Sequence, residues 1–291
     1  MKIRRSTAAV QRQGKLGEVF QRFCRNKLAV TGAIIMILLV AVAIFAPLLA
    51  PYPYDLQDAA VAKQGPSLAH LFGTDNYGRD IFSRCIYGAR ISLSVGILAV
   101  GVAIIVGGLL GAVAAFYGGI ADDLIMRVLD IIYAVPAILL GIAIAATLGP
   151  SLQNMMIAIA VGNVPSYARV VRASVLTVKS NEYIEAARCV GATDWRIIFK
   201  HIIPNALAPI IVQATLGVAG AILSCSTLSF LGLGIQPPTP EWGSMLSTAR
   251  QFIRQCPYMS IFPGICIMIT VFALNVIGDG IRDAIDPRLK D

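Results

Sequence analysis

The residues best placed for a specific interaction lie in a polar, basic stretch between two long apolar runs. This stretch is EAARCVGATDWRIIFKHIIP, which covers Glu185–Pro204. Glu185 and Asp194 are its two acidic residues. Gly191 stands between two short helical patterns. A connection between apolar runs has no need of an ordered helix–glycine–helix unit unless something docks there. The stretch therefore indicates a docking element.

The sequence contains no pattern typical of a catalytic, cofactor or metal site. Gly14-Lys15 is followed by Leu16, and no glycine stands five residues before Gly14, so there is no phosphate-binding loop. The two histidines, His70 and His201, form no HExxH pattern, and Gly-x-Ser-x-Gly is missing. The six cysteines include no CxxC pair and no Cys/His cluster. We therefore expect no catalytic, cofactor-binding or metal-binding residue in this chain, and no enzyme activity.

The composition is that of a polytopic membrane protein. Hydrophobic residues make up 57% of the 291 residues and charged residues only 14%, against about 25% charged in soluble domains. Eight of the 24 Lys and Arg residues lie within the first 27 positions. Such a basic arm could bind nucleic acid, but a cytoplasmic tail that follows the positive-inside rule explains it better. We expect an all-α fold in a lipid bilayer and no nucleic-acid partner.

Six apolar runs are long enough to cross a bilayer, since about 20 helical residues span the hydrocarbon core. The runs are 28–50, 91–117, 128–148, 152–171, 206–228 and 258–277. The first run could belong to a signal peptide, but it is too long and its basic flank too extended, so we expect a retained span. The last four runs each contain a proline, which neighbouring helices tolerate. The second run carries glycines that permit close helix packing, at Gly101, Gly107, Gly108 and Gly111.

Basic residues are distributed unevenly between the two sides of the predicted bundle. With the N-terminus inside and the spans alternating, the inner segments hold 18 Lys and Arg residues and the outer segments six. The positive-inside rule then places both termini and the polar stretch in the cytoplasm. The predicted organisation is a basic cytoplasmic tail (1–27), a first transmembrane helix (28–50), an external loop with an amphipathic segment (51–90), a five-helix core (91–281) with a cytoplasmic loop at 180–205, and a cytoplasmic C-terminal tail (282–291).

The cytoplasmic loop is predicted to contain two short helices. Ser180 or Asn181 can cap the first, and Gly191 stands where a left-handed residue ends a helix. Thr193 can cap the second helix, which Pro204 is expected to end. The first helix has one low-relief face, formed by Tyr183, Ala186, Ala187 and Val190. Apolar side chains recur at helical spacing along the second helix, at Trp195, Ile198, Phe199 and Ile202.

The pattern Glu185-Ala186-Ala187, Gly191 and Ile203-Pro204 resembles the cytoplasmic "EAA" loop of binding-protein-dependent ABC importer permeases. Three further segments resemble the dipeptide, oligopeptide and nickel branch of that family, namely His70–Arg84, Ser229–Leu246 and Gly278–Leu289. The order of the motifs is similar to that of the branch's C-type subunit, and the match covers most of the chain from Leu28 onward. The resemblance implies the type I importer permease fold, with six transmembrane helices in the bacterial inner membrane.

In that family the EAA loop is the mechanical contact with a separate ATPase subunit. The resemblance implies that the ATPase-coupling residues here are Glu185, Ala186, Ala187, Gly191, Asp194 and Pro204. It also implies a homologous B-type permease, two ABC ATPase subunits that bind ATP and Mg²⁺, and an extracytoplasmic solute-binding protein as partners. The expected cargo is a di- or oligopeptide. Nickel and glutathione are the alternatives, because selectivity in such systems lies mainly in the binding protein.

Polar residues within the spans are candidates for the translocation path, because such residues are costly in lipid and usually face the bundle interior. They could equally form hydrogen bonds between helices. The candidates are Asn163, Ser166, Gln213, Thr215, Ser224, Ser226 and Asn275. No lone carboxylate or lysine stands in the middle of a span, which argues against a proton-coupled secondary transporter.

The role of a charged cluster at the cytoplasmic side of the second and third spans can be interpreted in two ways. It could be an ion-pair network or a second contact for the ATPase, and its members are Asp122, Asp123, Arg127 and Asp130.

The outer loops carry capped and stiff segments. Asp80 can cap an amphipathic helix, which we expect to be an interfacial elbow. The prolines within Gln236–Pro240 stiffen the loop before the last span, and Trp242 is a residue type typical of the membrane interface. We expect this loop to form a rigid external cap that abuts the solute-binding protein.

The charge distribution predicts that Gln64 lies outside the membrane and Asp194 inside. In a variant without native cysteines, Gln64→Cys should react with a membrane-impermeant maleimide in intact cells. Asp194→Cys should react only after the membrane is opened. The cysteine-free parent serves as the control. Labelling at position 194 in intact cells would overturn both the span count and the docking role.

Overall fold

The computed structural model describes residues 15–285, and within that range the chain is helical without a named β-strand, which confirms the all-α prediction. The ends of the two predicted tails, residues 1–14 and 286–291, lie outside the described residues. The helices are α1 (Lys15–Arg25), α2 (Lys27–Ile44), α3 (Ala46–Leu49), α4 (Ile81–Tyr117), α5 (Gly119–Ala134), α6 (Ala137–Leu148), α7 (Leu152–Lys179), α8 (Glu182–Cys189), α9 (Asp194–Arg196), α10 (Ile203–Phe230), α11 (Trp242–Ala249) and α12 (Tyr258–Ile285).

Four helical stretches among the described residues are long and apolar enough to cross a membrane: α2, α4, the continuous stretch from α9 through α10, and α12. The pair α5 and α6 passes the same test as one broken span. α7 has 28 residues but is less apolar, because Asn163, Arg169 and Arg172 lie along it. It packs against α4, α6 and α10, so protein surrounds much of its surface. The six predicted spans correspond to these six units, although α7 does not qualify by apolarity.

The third predicted span, 128–148, is broken rather than straight. α5 begins already at Gly119, and the chain turns by 85° between α5 and α6. Val135, which lies just before Pro136, is extended with ψ 126°. A proline ring disfavours the helical conformation of the preceding residue, which explains the break. The prolines of the other runs lie inside continuous helices, at Pro165, Pro209 and Pro263.

The second predicted span begins earlier than the apolar pattern indicates. Asp80 caps α4 through a hydrogen bond that its Oδ2 accepts from the Ser83 amide at 2.7 Å, as predicted. The helix then continues for 37 residues to Tyr117. The predicted amphipathic segment is therefore the first part of the spanning helix and is not a separate elbow.

α4 and α7 form the most extensive helix contact of the bundle. A Cβ atom at Gly107 would lie 2.5 Å from the Val164 carbonyl oxygen, and one at Gly111 would overlap the carbonyl group of Ala168. Both glycines therefore face the backbone of α7 at a distance that no larger residue permits. Small residues four positions apart allow this approach in membrane helices, where packing rather than hydrophobicity drives association.

The loops at the opposite end of the bundle from α8 form what we call the cap, residues 51–80 and 231–257. Arg79 donates through Nε to Asp75 at 2.6 Å, and both side chains are buried. Arg84 donates to the carbonyl of Tyr54 at 2.8 Å and to that of Pro238 at 3.1 Å. Because those carbonyls belong to different loops, one buried guanidinium joins the two halves of the cap.

Trp242 does not lie at a lipid interface, contrary to the expectation from its residue type. Its side chain is buried, and Nε1 donates to the Cys85 carbonyl at 3.0 Å. Glu241 beside it is fully buried and caps α11 by accepting from the amides of Gly243 and Ser244, each at 2.8 Å. Buried hydrogen bonds of this kind fix the loop to α4, because breaking them would leave unpaired polar groups.

The glycine contact predicts a difference between neighbouring glycines of α4. Gly111→Ala should destabilise the assembled protein, because its methyl group would meet the Ala168 backbone. Gly101→Ala should be neutral or slightly stabilising, because no atom lies within 4 Å of that position and alanine is favoured in helices by roughly 0.5–1 kcal/mol. The measurement is the thermal unfolding midpoint in detergent. Equal midpoints for the two variants would contradict the proposed packing.

Candidate coupling site

The polar stretch folds as a hairpin, a name we use for residues 182–202. α8 forms its first arm and ends in a turn at Gly191, whose φ is +79°. The Ala192 amide donates to the Ala187 carbonyl at 3.1 Å, and the Gly191 amide donates to the Arg188 carbonyl at 2.9 Å. This pair of bonds is the Schellman arrangement, which satisfies the last carbonyls of a helix and requires a left-handed residue. The predicted conformation of Gly191 is confirmed.

The second arm differs from the predicted helix that ends at Pro204. α9 passes into a π-helical turn at Ile197–Ile202 and then directly into α10, so the chain remains helical through the proline. The Ile203 amide donates to the Ile198 carbonyl, five residues back. A widened turn of this kind accommodates the ring of Pro204, which would otherwise clash with the preceding turn.

The π turn also changes which side chains of the second arm are buried. Ile197 and Ile202, five residues apart, are fully buried, and Ile198 is nearly so. Trp195 and Phe199, which the helical spacing placed on the same stripe, are exposed. The predicted stripe is therefore wrong for its two aromatic members. A π turn brings residues i and i+5 to one face, whereas the prediction assumed an α-helix throughout.

The buried side of the hairpin rests on the ends of α4 and α7. Ile184 from the first arm and the three isoleucines of the second arm form one apolar cluster with residues of those helices, namely Phe116, Val171, Val175 and Val178. A contiguous cluster of this kind makes the hairpin part of the bundle's core. The hairpin is consequently packed against the ends of two helices of the bundle.

Lys179 strengthens this support in a way that the sequence alone did not suggest. Its ammonium group donates to the carbonyls of Phe116 at 2.6 Å and Ala115 at 3.1 Å. These are among the last carbonyls of α4, which have no partner within their own helix. Arg188 of the hairpin lies over the Phe116 ring at 5.4 Å. The end of α4 is thus held by cations from both α7 and α8.

The outward side of the hairpin carries the residues predicted to contact a partner. Glu185, Ala186, Gly191 and Asp194 are exposed, Ala187 is half-buried, and Pro204 is exposed at the start of α10. Ala186 faces outward next to Glu185, whereas Ala187 packs in part against the buried cluster and exposes its remaining surface. No atom lies within 4 Å of a Cβ built on Gly191, so a larger side chain would meet no neighbour at this position. The positive φ angle, and not the available space, is what favours glycine here. Such a surface can enter a groove and present a carboxylate inside it.

The charged cluster near the hairpin is in part an ion-pair network between helices. Arg172 of α7 donates to both carboxylate oxygens of Asp122 on α5, each at 2.6 Å. Arg169 donates to Asp130 at 2.7 Å and lies over the Tyr133 ring at 3.9 Å. These pairs tie the first half of the broken span to α7. Asp123 and Arg127 form no salt bridge with a described residue.

The candidate path residues do not converge on one site within this chain. Gln213 of α10 donates to the Ser166 hydroxyl of α7 at 3.4 Å, and Asn163 donates to its own helix at the Ile159 carbonyl at 2.8 Å. The remaining candidates lie apart on α10 and α12: Thr215 is half-buried, Ser224 and Asn275 are exposed, and Ser226 is buried. Only Ser166 and Gln213 are brought together.

No group of three or more His, Cys, Asp or Glu residues that could hold a metal ion occurs among residues 15–285. The exposed features of the hairpin are the carboxylates of Glu185 and Asp194, the small side chain of Ala186 and the turn at Gly191.

Comparisons with known proteins identify the family and the fold of the chain. The profile of the family "Binding-protein-dependent transport system inner membrane component" matches residues 103–291. That of the "N-terminal TM domain of oligopeptide transport permease C" matches residues 15–66. Among solved structures, the fold is similar to that of the inward-facing MetNI methionine ABC transporter, with a TM-score of 0.57, 20% identity and coverage of 70% of this chain and 97% of that one.

Curated relatives match over nearly the whole chain. A dipeptide transport system permease protein, DppC of Alkalihalophilus pseudofirmus, is 54% identical over 94% of this chain and 90% of the relative. The glutathione transport system permease protein GsiD is 47% identical in Escherichia coli O6:K15:H31 and 45% identical in Pectobacterium atrosepticum. The GsiD matches cover 94% of this chain and 90–91% of the relatives. The names of these relatives all describe permease proteins of transport systems. The chain belongs to the binding-protein-dependent permeases of ABC importers, the multi-pass inner-membrane components of these transporters.

Proposed function

We propose that this chain is the C-type permease subunit of an ATP-driven importer of di- or oligopeptides. Membership of the family implies an ATPase and a solute-binding protein as partners and a membrane as the site of action. The observation that carries the proposal is the hairpin: a rigid turn at Gly191, packed on two transmembrane helices, with a carboxylate and a small-residue face turned outward.

In this proposal the hairpin lies in the cytoplasm and docks into a groove of the ATPase. Ala186 and Ala187 supply the flat contact, while Glu185 and Asp194 make polar contacts at its rim. Gly191 sets the angle between the two arms, and Pro204 fixes the widened turn that carries the second arm into α10. ATP and Mg²⁺ bind to two such ATPases, because this chain has no phosphate-binding loop.

Movement of the ATPase reaches the bundle through packed side chains. The isoleucines of the hairpin contact the ends of α4 and α7, and Arg172 links α7 to α5 through Asp122. A shift of the hairpin thus displaces three helices together, because close-packed groups move as a unit and do not deform continuously. This supports a coupling role in which ATP-driven closure changes the orientation of the spans.

The path for the cargo is proposed to be polar but uncharged. Ser166 and Gln213 meet between α7 and α10, and Asn163 and Asn275 add amide groups at other heights of the bundle; Ser226 lies near the cap. Amides and hydroxyls can exchange hydrogen bonds with a peptide backbone as it passes. The dipeptide cargo is supported by the 54% identical DppC relative. Glutathione, itself a tripeptide, is the second candidate, supported by the GsiD relatives.

The cap is proposed to lie outside and to receive the solute-binding protein. Its two loops are joined by hydrogen bonds from the buried Arg84. A pre-formed surface of this kind lowers the entropic cost of docking. The second permease subunit of the complex is a homologous B-type chain, and both termini of this chain lie in the cytoplasm.

The coupling role predicts the effect of two substitutions in the hairpin. Gly191→Val should force a β-branched residue into φ +79°, which costs roughly 1–2 kcal/mol or changes the turn. Glu185→Ala should remove a polar contact without changing the fold. Both variants should reach the membrane and pair with the second permease, yet lose co-purification of the ATPases or ligand-stimulated hydrolysis, and with it uptake.

Uptake is measured beside ATPase co-purification, with the membrane level of each variant as the control. Gly101→Ala is the matched glycine substitution outside the site and should behave as wild type. Wild-type transport by both hairpin variants at equal membrane level would show that the hairpin is only a surface loop.

The proposal also predicts the composition of the complex. Purified alone, the chain should neither bind nor hydrolyse ATP, because it has no phosphate-binding loop. Affinity purification from cells that express the whole operon should recover two ATPases and a second, homologous permease. Uptake should persist when the proton gradient is collapsed while ATP is maintained. A stable, active homodimer without the second permease would contradict the C-type assignment.

A further inference from the structure

Two exposed aromatic residues on the second arm of the hairpin are not used by the coupling role described above. Trp195 is 59% exposed and Phe199 is 51% exposed. Their rings are stacked, with centroids 5.7 Å apart and planes inclined by 18°. The other apolar residues of this arm are buried isoleucines. A stacked aromatic pair turned outward is the kind of feature that anchors an interface, since Trp and Tyr dominate binding hot spots and large rings bury much area.

The membrane is too far from these rings to cover them. The stretch Asp194–Phe230 is 37 residues long, or about 55 Å at 1.5 Å per residue, whereas the hydrocarbon core is about 30 Å thick. Arg250 of the cap lies over the Phe230 ring at 5.3 Å, which places that end of α10 at the cap-side surface. If the helix is upright, the hydrocarbon core extends from Phe230 back over about 20 residues and ends near residue 210.

The other end of the core is marked independently. Arg282 of α12 lines one groove together with Pro209 and Gln213, and a charged guanidinium belongs at the edge of the core. Trp195 therefore lies about 20 Å beyond this edge along the helix. Even with the helix tilted by 40°, the core ends near residue 204 and Trp195 lies about 10 Å beyond it. The interfacial layer on each side is only about 5–8 Å thick.

The aromatic pair is continuous with the surface that we propose contacts the ATPase. Val190, at the tip of the hairpin, is 83% exposed, and Tyr183 on the first arm is 44% exposed. These residues and the aromatic pair belong to one projection that ends at Gly191. Exposed apolar residues beyond the reach of lipid indicate a protein partner. The partner already required at this projection is the ATPase.

We propose that Trp195 and Phe199 form a second, apolar anchor for the ATPase, which enters a hydrophobic pocket beside the groove that receives Ala186 and Ala187. This inference rests on the proposed coupling function and specifies an additional contact on the partner. Arg196 and Lys200 flank the rings and are exposed, so the pocket has an acidic rim. The aromatic anchor supplies affinity for the ATPase, and the turn at Gly191 supplies orientation.

The anchor can be observed directly because the chain contains only two tryptophans. The permease pair is labelled with 5-fluorotryptophan, reconstituted in nanodiscs and titrated with unlabelled ATPases. The signal of Trp195, identified by its loss in Trp195→Phe, should shift and lose its solvent isotope effect. The signal of Trp242, which is 1% exposed, should stay unchanged and serves as the internal reference. A Trp195 signal that remains solvent-exposed in the complex would overturn the proposal.

Substitutions provide the quantitative test. Trp195→Ala and Phe199→Ala should each weaken ATPase binding about tenfold or more, as loss of an aromatic hot spot does. Trp195→Phe should retain most of the affinity. Phe20→Ala on α1 is the control, because it removes an equally exposed phenylalanine, 70% exposed, outside the hairpin.

The outcomes separate this inference from the proposed function. If Glu185→Ala and Gly191→Val lose the ATPase while both aromatic variants bind it as wild type does, the anchor is refuted and the coupling role stands. If the wild-type pair binds no ATPase, both fail. Broadening of the Trp195 signal by paramagnetic lipid headgroups, without ATPase, would assign the rings to the bilayer and refute the anchor.

Discussion

The close backbone contact of α4 with α7 is the interaction on which the rest of the structure depends. Gly107 and Gly111 permit it, and any side chain at these positions would meet the α7 backbone. The contact brings the ends of both helices together, so that Lys179 reaches the last carbonyls of α4 and a shared apolar surface forms there. The hairpin is seated on that surface. Without the glycine contact there would be no fixed support for a coupling element.

The same arrangement explains how a small projection can be mechanically linked to a large bundle. The isoleucines of the hairpin are buried as deeply as residues in the middle of the bundle, so the hairpin and the two helix ends are one packed body. The ion pair between Arg172 and Asp122 extends that body to α5, whose continuation is broken at Pro136. At the other end of the bundle, the buried Arg84 joins the two loops of the cap.

Much of this could be predicted from residue types and spacing, and the exceptions have physical causes. The left-handed turn at Gly191 follows from local chain geometry, which the sequence encodes directly. Which side chains of the second arm are buried could not be predicted in this way, because the π turn before Pro204 depends on how the helix continues into α10. As a result of that turn, Trp195 is exposed. Trp242 was predicted at the membrane interface from its residue type alone. Residue type does not reveal that the ring is buried and donates to the Cys85 carbonyl. An ion-pair network at the charged cluster was one of two predicted interpretations, but its partners Arg169 and Arg172 lie 39 and 50 residues away in sequence, which no local pattern can show. The contact of Lys179 with the end of α4 is likewise distant in sequence.

The central claim, that the hairpin is the surface through which the ATPase acts, is tested most directly by hydrogen exchange in the assembled complex. Peptides covering residues 182–200 are followed by mass spectrometry in the permease pair, with and without the ATPases. The account predicts that their backbone amides exchange at least about tenfold more slowly when the ATPases are bound, whereas peptides of the cap exchange at the same rate. Unchanged exchange in residues 182–200, at full occupancy of the ATPases, would contradict it.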